Sequence, residues 1–352
     1  MDRINDIDAV VFHGPFNATI EKKPVRQIQG PEDVILKVMY TALCGSELHV
    51  FRGNQTSDTG FIMGHEFTGT IHQVGSAVKT VQLGDCVVCP FTVSCGTCFY
   101  CENGISSRCK KGMLFGSLGL DGSQAEYVRV PYADGTVLKT PADVNPVAVV
   151  LMADIFPTGF FAARNAFRNL SESQISKSVV VVLGCGPVGL CALLNAVEYH
   201  PKHLLAVDMV EYRLNTAKSF RAEPWNLSID SKRIFTRVKA LTDGRGADLV
   251  IEVVGNSAAL RTAFDLLRPS GTISSVGVHN SESSQEAYAK NLNIQMGRCP
   301  ARSIFPQALQ IFKKKTQEQL SVLNDTVVPL SRAGEYYELF EKSKVQKVVF
   351  KV

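Results

Sequence analysis

The run Val179-Val180-Val181-Val182-Leu183-Gly184-Cys185-Gly186-Pro187-Val188-Gly189 constrains this chain's fold more than any other stretch. Its first five residues are apolar without a break, the pattern of a strand buried on both faces. They lead directly into G-x-G-x-x-G. Gly184 permits a tight turn, Gly186 lets backbone approach a pyrophosphate, and Gly189 lets helix and strand pack closely, with Pro187 and Val188 completing the loop. Phosphates would rest on the free N–H groups at the helix start. Glycines punctuate many turns, so context has to carry the reading. A second strand, Leu204–Val207, ends in Asp208, nineteen residues after Gly189, where an acid can bond the adenosine ribose hydroxyls. A carboxylate there repels a 2′-phosphate, which favours NAD over NADP. Arg213, five residues on, could assist a phosphate and tempers that preference without reversing it.

Strand-like and helical patterns alternate on either side of this unit. Pro157–Phe167 reads as a helix, followed by Val188–Tyr199, Tyr212–Phe220, Leu249–Val254, Ala258–Leu267 and Thr272–Val276. This βαβ texture predicts an α/β fold with a doubly wound parallel sheet over residues 154–292. Ser178–Val197 has the length of a membrane span, but its three glycines and proline fit a strand, turn and helix better. Before residue 154 the texture is β-rich. Val34–Tyr40 and Gly69–Val74 read as strands, and Gly84-Asp85 as a turn into Cys86-Val87-Val88, together predicting a mostly β, barrel-like domain. A helix near Gln307–Lys315 and a closing strand over Lys347–Val352 would rejoin it, giving residues 1–153 and 293–352 as the second domain. A chain of 352 residues suits two domains.

The net charge of +4 is small for this length, and no basic stripe interleaved with aromatics points to nucleic acid. Lys313-Lys314-Lys315 reads as a solvated helix face. Residues 1–8 are polar and acidic, without the apolar core of an export signal. Four of the ten cysteines fall within fifteen residues at metal-ligand spacing, so the expected setting is reducing and cytoplasmic, with no membrane partner.

Those four, Cys95-x2-Cys98-x2-Cys101-x7-Cys109, can close a tetrahedral zinc–sulfur shell with no open position, which makes that site structural. A second set is dispersed: Cys44, His65-Glu66 and Asp154. Alone, each reads as a core thiol or an ordinary polar residue. Together they offer soft, borderline and hard donors, and a catalytic zinc takes three protein ligands plus an exchangeable position.

Several of these segments resemble zinc-containing alcohol dehydrogenases of the medium-chain dehydrogenase/reductase superfamily. Cys44-Gly45-Ser46-Glu47-Leu48-His49 is similar to their C-G-[ST]-D-x-H, and Gly64-His65-Glu66-Phe67-Thr68-Gly69 to their G-H-E-x-x-G. The four-cysteine lobe, a Pro157-Thr158-Gly159 turn and the glycine fingerprint follow in family order, from about Val34 to the terminal Val348–Lys351. The resemblance implies a GroES-like catalytic domain with a Rossmann domain, the active site in the cleft between them, and two zincs per chain. Cys44, His65 and Asp154 would hold the catalytic ion, with Glu66 behind it or as an alternative fourth ligand. Many members carry Cys where Asp154 stands; the aspartate form is similar to secondary-alcohol and glutathione-independent formaldehyde dehydrogenases. Glu47 replaces the usual Asp, without a direct role in the chemistry.

By the same resemblance, Ser46 takes the substrate's hydroxyl proton, which passes by way of the nicotinamide ribose to His49 and then solvent, while hydride goes to NAD. Thr158, Val254, Val276 and Val278 would line the nicotinamide, and Phe91 a wall of the substrate pocket. The expected activity is interconversion of an alcohol, primary or secondary, with its aldehyde or ketone. The alternatives are a polyol or sugar dehydrogenase of the same superfamily, and a nucleotide-binding module without turnover. The family also implies a homodimer or homotetramer. Cys86, Cys89, Cys185, Cys191 and Cys299 read as packing residues, and His13, His72, His200, His203 and His279 receive no role.

Overall fold

The Val179–Leu183 strand is fully inside the protein, as its unbroken apolar run requires. In this computed structural model, which describes residues 6–229, 231–277, 287 and 289–352, the strand is central to a parallel sheet. Among the described residues the order is Glu223–Asn226, His203–Asp208, Val179–Leu183, Ala247–Glu252, Leu267–Ser275, Asn293–Met296, every pair parallel. This is the doubly wound Rossmann arrangement. The strand order reverses beside Val179–Leu183, and the crevice beyond the carboxyl ends there is where such sheets take ligands. Apolar side chains of the Ser231–Leu241 and Ser257–Leu266 helices, among them Ile234, Val238, Leu260 and Phe264, pack on one face of the sheet.

The chain divides into two compact units, Ile155–Cys299 and a second made of Met1–Asp154 with Pro300–Val352. The second unit is mostly β, as expected. Its main sheet runs Thr326–Pro329, Val348–Lys351, Val34–Leu43, Glu66–Val74, Cys86–Cys89, Leu138–Lys139, with Tyr127–Val130 paired off Val34–Leu43. Val348–Lys351 lies antiparallel to Val34–Leu43, so the chain's last strand completes a sheet begun in its first fifty residues. Val34, Leu36, Phe67 and Phe115 form the centre of the core beneath it.

Several elements differ from expectation. The Pro157-Thr158-Gly159 segment is no turn: it lies inside the Ile155–Phe167 helix, which starts two residues before Pro157. Gly159 serves packing, because a Cβ there would stand 2.6 Å from Ala192 N of the Pro187–Ala196 helix. The helix expected at 307–315 is Ala301–Phe312, with Pro306 inside it. Pro306 gives up the bond to the carbonyl of Arg302 and crowds it, and the burial of Ile304, Phe305, Ala308 and Phe312 offsets that cost. The lysine run falls past that end; Lys313 pairs with Asp143 at 2.8 Å and Lys315 is buried, so the solvated-face reading fails for Lys315. Asn293–Met296, beyond the expected boundary at 292, joins the parallel sheet. Its polar Asn and Gln give no apolar run, as suits an edge strand. The hairpin Asp6–Gly14 with Asn17–Pro24 is additional, its Asp-Ile-Asp start hiding the apolar Ala9–Phe12 stretch. No single helix among the described residues is long and apolar enough to cross a membrane.

Gly189 gives the sharpest packing test. Alanine would gain about 1 kcal/mol of helix propensity there, yet its Cβ would stand 1.9 Å from Gly184 O, a backbone atom that cannot step aside. Gly189→Ala is expected to destabilise the unit by about 1–3 kcal/mol despite its better propensity, read as a lower thermal midpoint. An unchanged or raised midpoint contradicts the close packing.

Candidate functional site

The register of two strands assembles the dispersed donors. Glu66 sits opposite Ala42 in the antiparallel pair Val34–Leu43 with Glu66–Val74. Cys44, just past the end of the first strand, therefore meets His65, just before the second. Asp154 follows the 3-10 turn Val150–Ala153, which is tied in by the Phe91 N–H bond to Ala153 O at 3.1 Å. The donor atoms of Cys44, His65, Glu66 and Asp154 all lie within 4.8 Å of one another, and all four residues are buried. Asp154 Oδ2 is 3.6 Å from Cys44 Sγ and 3.5 Å from His65 Nε2. Ser46 Oγ lies 3.2 Å from Cys44 Sγ and 3.3 Å from His65 Nε2, at the edge of the same cluster.

Cys44 caps the short helix Gly45–Phe51. Its N–H donates to Glu47 Oε2 at 2.9 Å, while Glu47 Oε1 faces His65 Nδ1 at 3.7 Å. Glu47 thus fixes the loop that presents Cys44 and turns His65 Nε2 toward the other donors. Gln124 Nε2 donates to Glu47 Oε1 at 3.4 Å, and Gln124 Oε1 accepts from the buried Tyr337 hydroxyl at 2.9 Å. Ser46 and His49 are three residues apart on that helix and share a face.

Lys347 supplies what the sequence reading missed. Fully buried, its Nζ lies 2.7 Å from Glu66 Oε1, 2.6 Å from Oε2 and 3.0 Å from Leu43 O. A lysine heading an apolar strand reads as a snorkelling edge residue, and only the fold reveals its partner. Burial would depress its pKa; the charges of Glu66 and Cys44 more than offset this and hold it above the ordinary lysine value. Glu66 is thereby matched by a cation of the protein's own. As metal ligands, Cys44, His65 and Asp154 would present a thiolate, a neutral imidazole and a carboxylate, two negative charges that suit a divalent, borderline-soft ion such as zinc. Burial and the neighbouring Glu66 charge push the Cys44 thiol up, and burial's downward pull on His65 is outweighed by Cys44, Glu47 and Asp154. Both directions describe an anion-rich pocket that a bound cation relieves.

The sulfurs of Cys95, Cys98, Cys101 and Cys109 form the other cluster, again within 4.8 Å. Left-handed Gly96 (φ +77°) and Gly104 (φ +76°) bend the lobe around them. The N–H groups of Cys95 and Lys111 donate to Cys109 Sγ at 3.2 and 3.4 Å, and backbone N–H donors hold Cys98 at about 6, well into thiolate territory. Burial instead raises Cys101 to about 12 and raises Cys109 as well, so it is the convergence of the four sulfurs that fits a closed tetrathiolate ion site.

In the Rossmann unit, left-handed Gly184 (φ +94°) turns the chain and Gly186 caps the Pro187–Ala196 helix, with Pro187 in its first turn and Val188 following. Asp208 Oδ2 accepts from Cys185 N–H at 2.6 Å, and Oδ1 from Met209 and Val210 N–H at 2.7 and 2.9 Å. The acid therefore clasps the glycine loop. Arg213 Nη1 lies 3.9 Å from where a Gly186 Cβ would stand, so the guanidinium faces the glycine loop. Val254 is 45% exposed, open to a ligand, and Val276 is partly buried. Thr158 sits in the first turn of its helix. Val278 lies outside the described residues. Phe91 is buried with its ring 6.3 Å from that of His65, beside the donor cluster.

Family models match both units: "Alcohol dehydrogenase GroES-like domain" over residues 30–142 and "Zinc-binding dehydrogenase" over residues 187–314. The chain is 60% identical to Zinc-type alcohol dehydrogenase B of Aspergillus flavus, across 100% of this chain and 82% of that protein. It is 53% identical to a medium chain reductase/dehydrogenase of an Acremonium species, over 78% of this chain and 95% of the other. The solved alcohol dehydrogenase from Thermus sp. ATN1 superposes with a TM-score of 0.88 at 30% identity, covering 98% of this chain and 99% of that one. The chain belongs to the zinc-type alcohol dehydrogenase family of medium-chain dehydrogenases/reductases, and is an oxidoreductase of that family.

Lys347→Met leaves Glu66 buried without its countercharge. The expected cost is about 3–5 kcal/mol of stability, measured by denaturant unfolding, with much of it recovered in a Glu66→Gln/Lys347→Met double variant. A single variant as stable as the parent contradicts the pairing.

Proposed function

We propose that this chain interconverts an alcohol, primary or secondary, with its aldehyde or ketone, using NAD as the hydride carrier. The observation that carries the reading is the convergence of Cys44, His65 and Asp154, with the Ser46 hydroxyl at their edge. Cys44, His65 and Asp154 would hold a catalytic zinc, and Cys95, Cys98, Cys101 and Cys109 a structural one, two per chain. Glu66, already matched by Lys347, stands behind the first as a charge-balancing neighbour. When bound, zinc supplies the Lewis acidity that makes a hydroxyl easier to deprotonate, and nicotinamide supplies the hydride acceptor.

The chain's own residues do the rest. Ser46 receives the hydroxyl proton and His49, on the same helix face, passes it to solvent. Phe91 walls the substrate pocket, and its apolar ring keeps water from the reacting carbon. Asp208 reads the adenosine ribose and its charge disfavours a 2′-phosphate, so NAD is used in preference to NADP. Gly184, Gly186, Pro187, Val188 and Gly189 cradle the pyrophosphate with Arg213 beside them, while Thr158, Val254 and Val276 meet the nicotinamide.

The direct test is a panel of primary alcohols, secondary alcohols and polyols with NAD and NADP in parallel, together with metal analysis. The wild type is expected to carry two zincs per chain and to form NADH from simple alcohols. Asp154→Ala is expected to lose one zinc and fall by roughly 100-fold or more in kcat/KM while staying folded. Preference for polyols, or two zincs without turnover, overturns the reading; unchanged zinc and rate in Asp154→Ala removes that ligand.

Partial burial, with the Arg52 charge adding to it, lowers the pKa of His49 below the ordinary 6.5. His49 is therefore neutral and able to accept a proton at pH 7, and its loss of function on acidification falls below about pH 6.5. His49→Gln is expected to lower kcat at pH 7 by about tenfold or more and to remove that acid limb from the pH profile. A profile identical to wild type contradicts the relay.

A further inference from the structure

Glu252 is fully buried at the carboxyl end of the Ala247–Glu252 strand, beside the strand that carries the glycine fingerprint. No step proposed above uses it. Its Oε1 accepts from Val254 N–H at 2.8 Å and from Gly255 N–H at 2.9 Å. Its Oε2 accepts from the Ser275 hydroxyl at 2.8 Å, and its backbone carbonyl from Val276 N–H at 3.2 Å. One residue thus fastens the loops that follow two neighbouring strands. Those loops press on each other and on the fingerprint. A Cβ at Gly277 would stand 2.4 Å from Gly255 Cα and 3.0 Å from Glu252 Oε2, and one at Gly184 would meet Val254 Cγ2 at 2.8 Å. A carboxylate out of water is tolerated only with its lone pairs occupied, and here the occupants are loop groups that would otherwise be free to move.

We propose that Glu252 is a positioning residue that sets cofactor affinity, by holding the Val254 and Val276 loops in the shape that receives the nicotinamide half of the dinucleotide. This rests on the assignment of Val254 and Val276 to the nicotinamide side. The residue touches no substrate; its side chain acts through the backbone of residues 254 and 255 and through the Ser275 hydroxyl, next to Val276. Geometry is the requirement, since a glutamine can keep all three side-chain bonds. Its oxygen would accept from Val254 and Gly255, and its amide would donate to Ser275, whose hydroxyl rotates to receive it.

The experiment is NADH titration of the zinc-loaded full chain by fluorescence, with amide hydrogen exchange at residues 254–255 as the second readout. Glu252→Ala is expected to raise the NADH Kd by about tenfold or more, equal to about 1.4 kcal/mol, and to speed exchange at Val254 and Gly255. Glu252→Gln is expected to stay within about threefold of wild type in both. If Glu252→Ala does not fold, Glu252→Asp, one methylene too short to span both loops, takes its place with the same expectation. A folded Ala or Asp variant that binds NADH like wild type overturns the inference, as does a Gln variant as weak as the Ala one. Wild-type protein that binds neither NADH nor NADPH instead overturns the proposed function, so the two failures are distinct.

Discussion

Acidic groups crowded out of water are the constraint from which this catalytic unit is built. Cys44, Glu66 and Asp154 bring their acidic atoms to within 4.8 Å of one another and of His65. Such a cluster is costly in a low dielectric unless each charge is matched. Lys347 matches one, from the last strand of the chain. The rest would be met by a divalent ion held by Cys44, His65 and Asp154, which would supply Lewis acidity at its open position.

The fold meets this demand with ordinary sheet geometry. Antiparallel pairing of Val34–Leu43 with Glu66–Val74 puts Cys44 beside His65, and pairing of Val348–Lys351 on the other side of the first strand sends Lys347 beneath Glu66. The closing segment after the Rossmann unit is therefore part of the site's electrostatics as well as of the sheet. A comparable economy holds in the Rossmann unit. Two buried or half-buried acids, Asp208 and Glu252, accept backbone N–H groups from the glycine loop and the loops beside it, so their side chains fix the shape of that region.

Much of this was legible in the sequence, and the reasons are local. The strand–glycine–helix run needs no tertiary context, because its steric requirements fall within eleven consecutive residues. The four-cysteine lobe is likewise short-range. Cys44, His65 and Asp154 became readable only through a family resemblance, since donors over a hundred residues apart carry no periodic signal. Lys347, Gln124, Tyr337 and Glu252 were not legible at all. Each looks like a common surface or core residue until pairing across more than seventy positions, or burial at a strand end, gives it a partner. The displaced helix start at Ile155 and the polar edge strand Asn293–Met296 failed for a related reason, tertiary packing having overridden local pattern.

X-ray absorption at the zinc edge tests the central claim most directly, because it counts donor types without reference to activity. One tetrathiolate and one Cys–His–Asp site together supply five sulfurs to two ions, an average of about 2.5 sulfur donors per zinc, with Zn–S near 2.3 Å and a lighter N/O shell near 2.0–2.1 Å. A single zinc per chain surrounded by sulfur alone would contradict the account, for the buried anions around Cys44 would then have no metal to answer them.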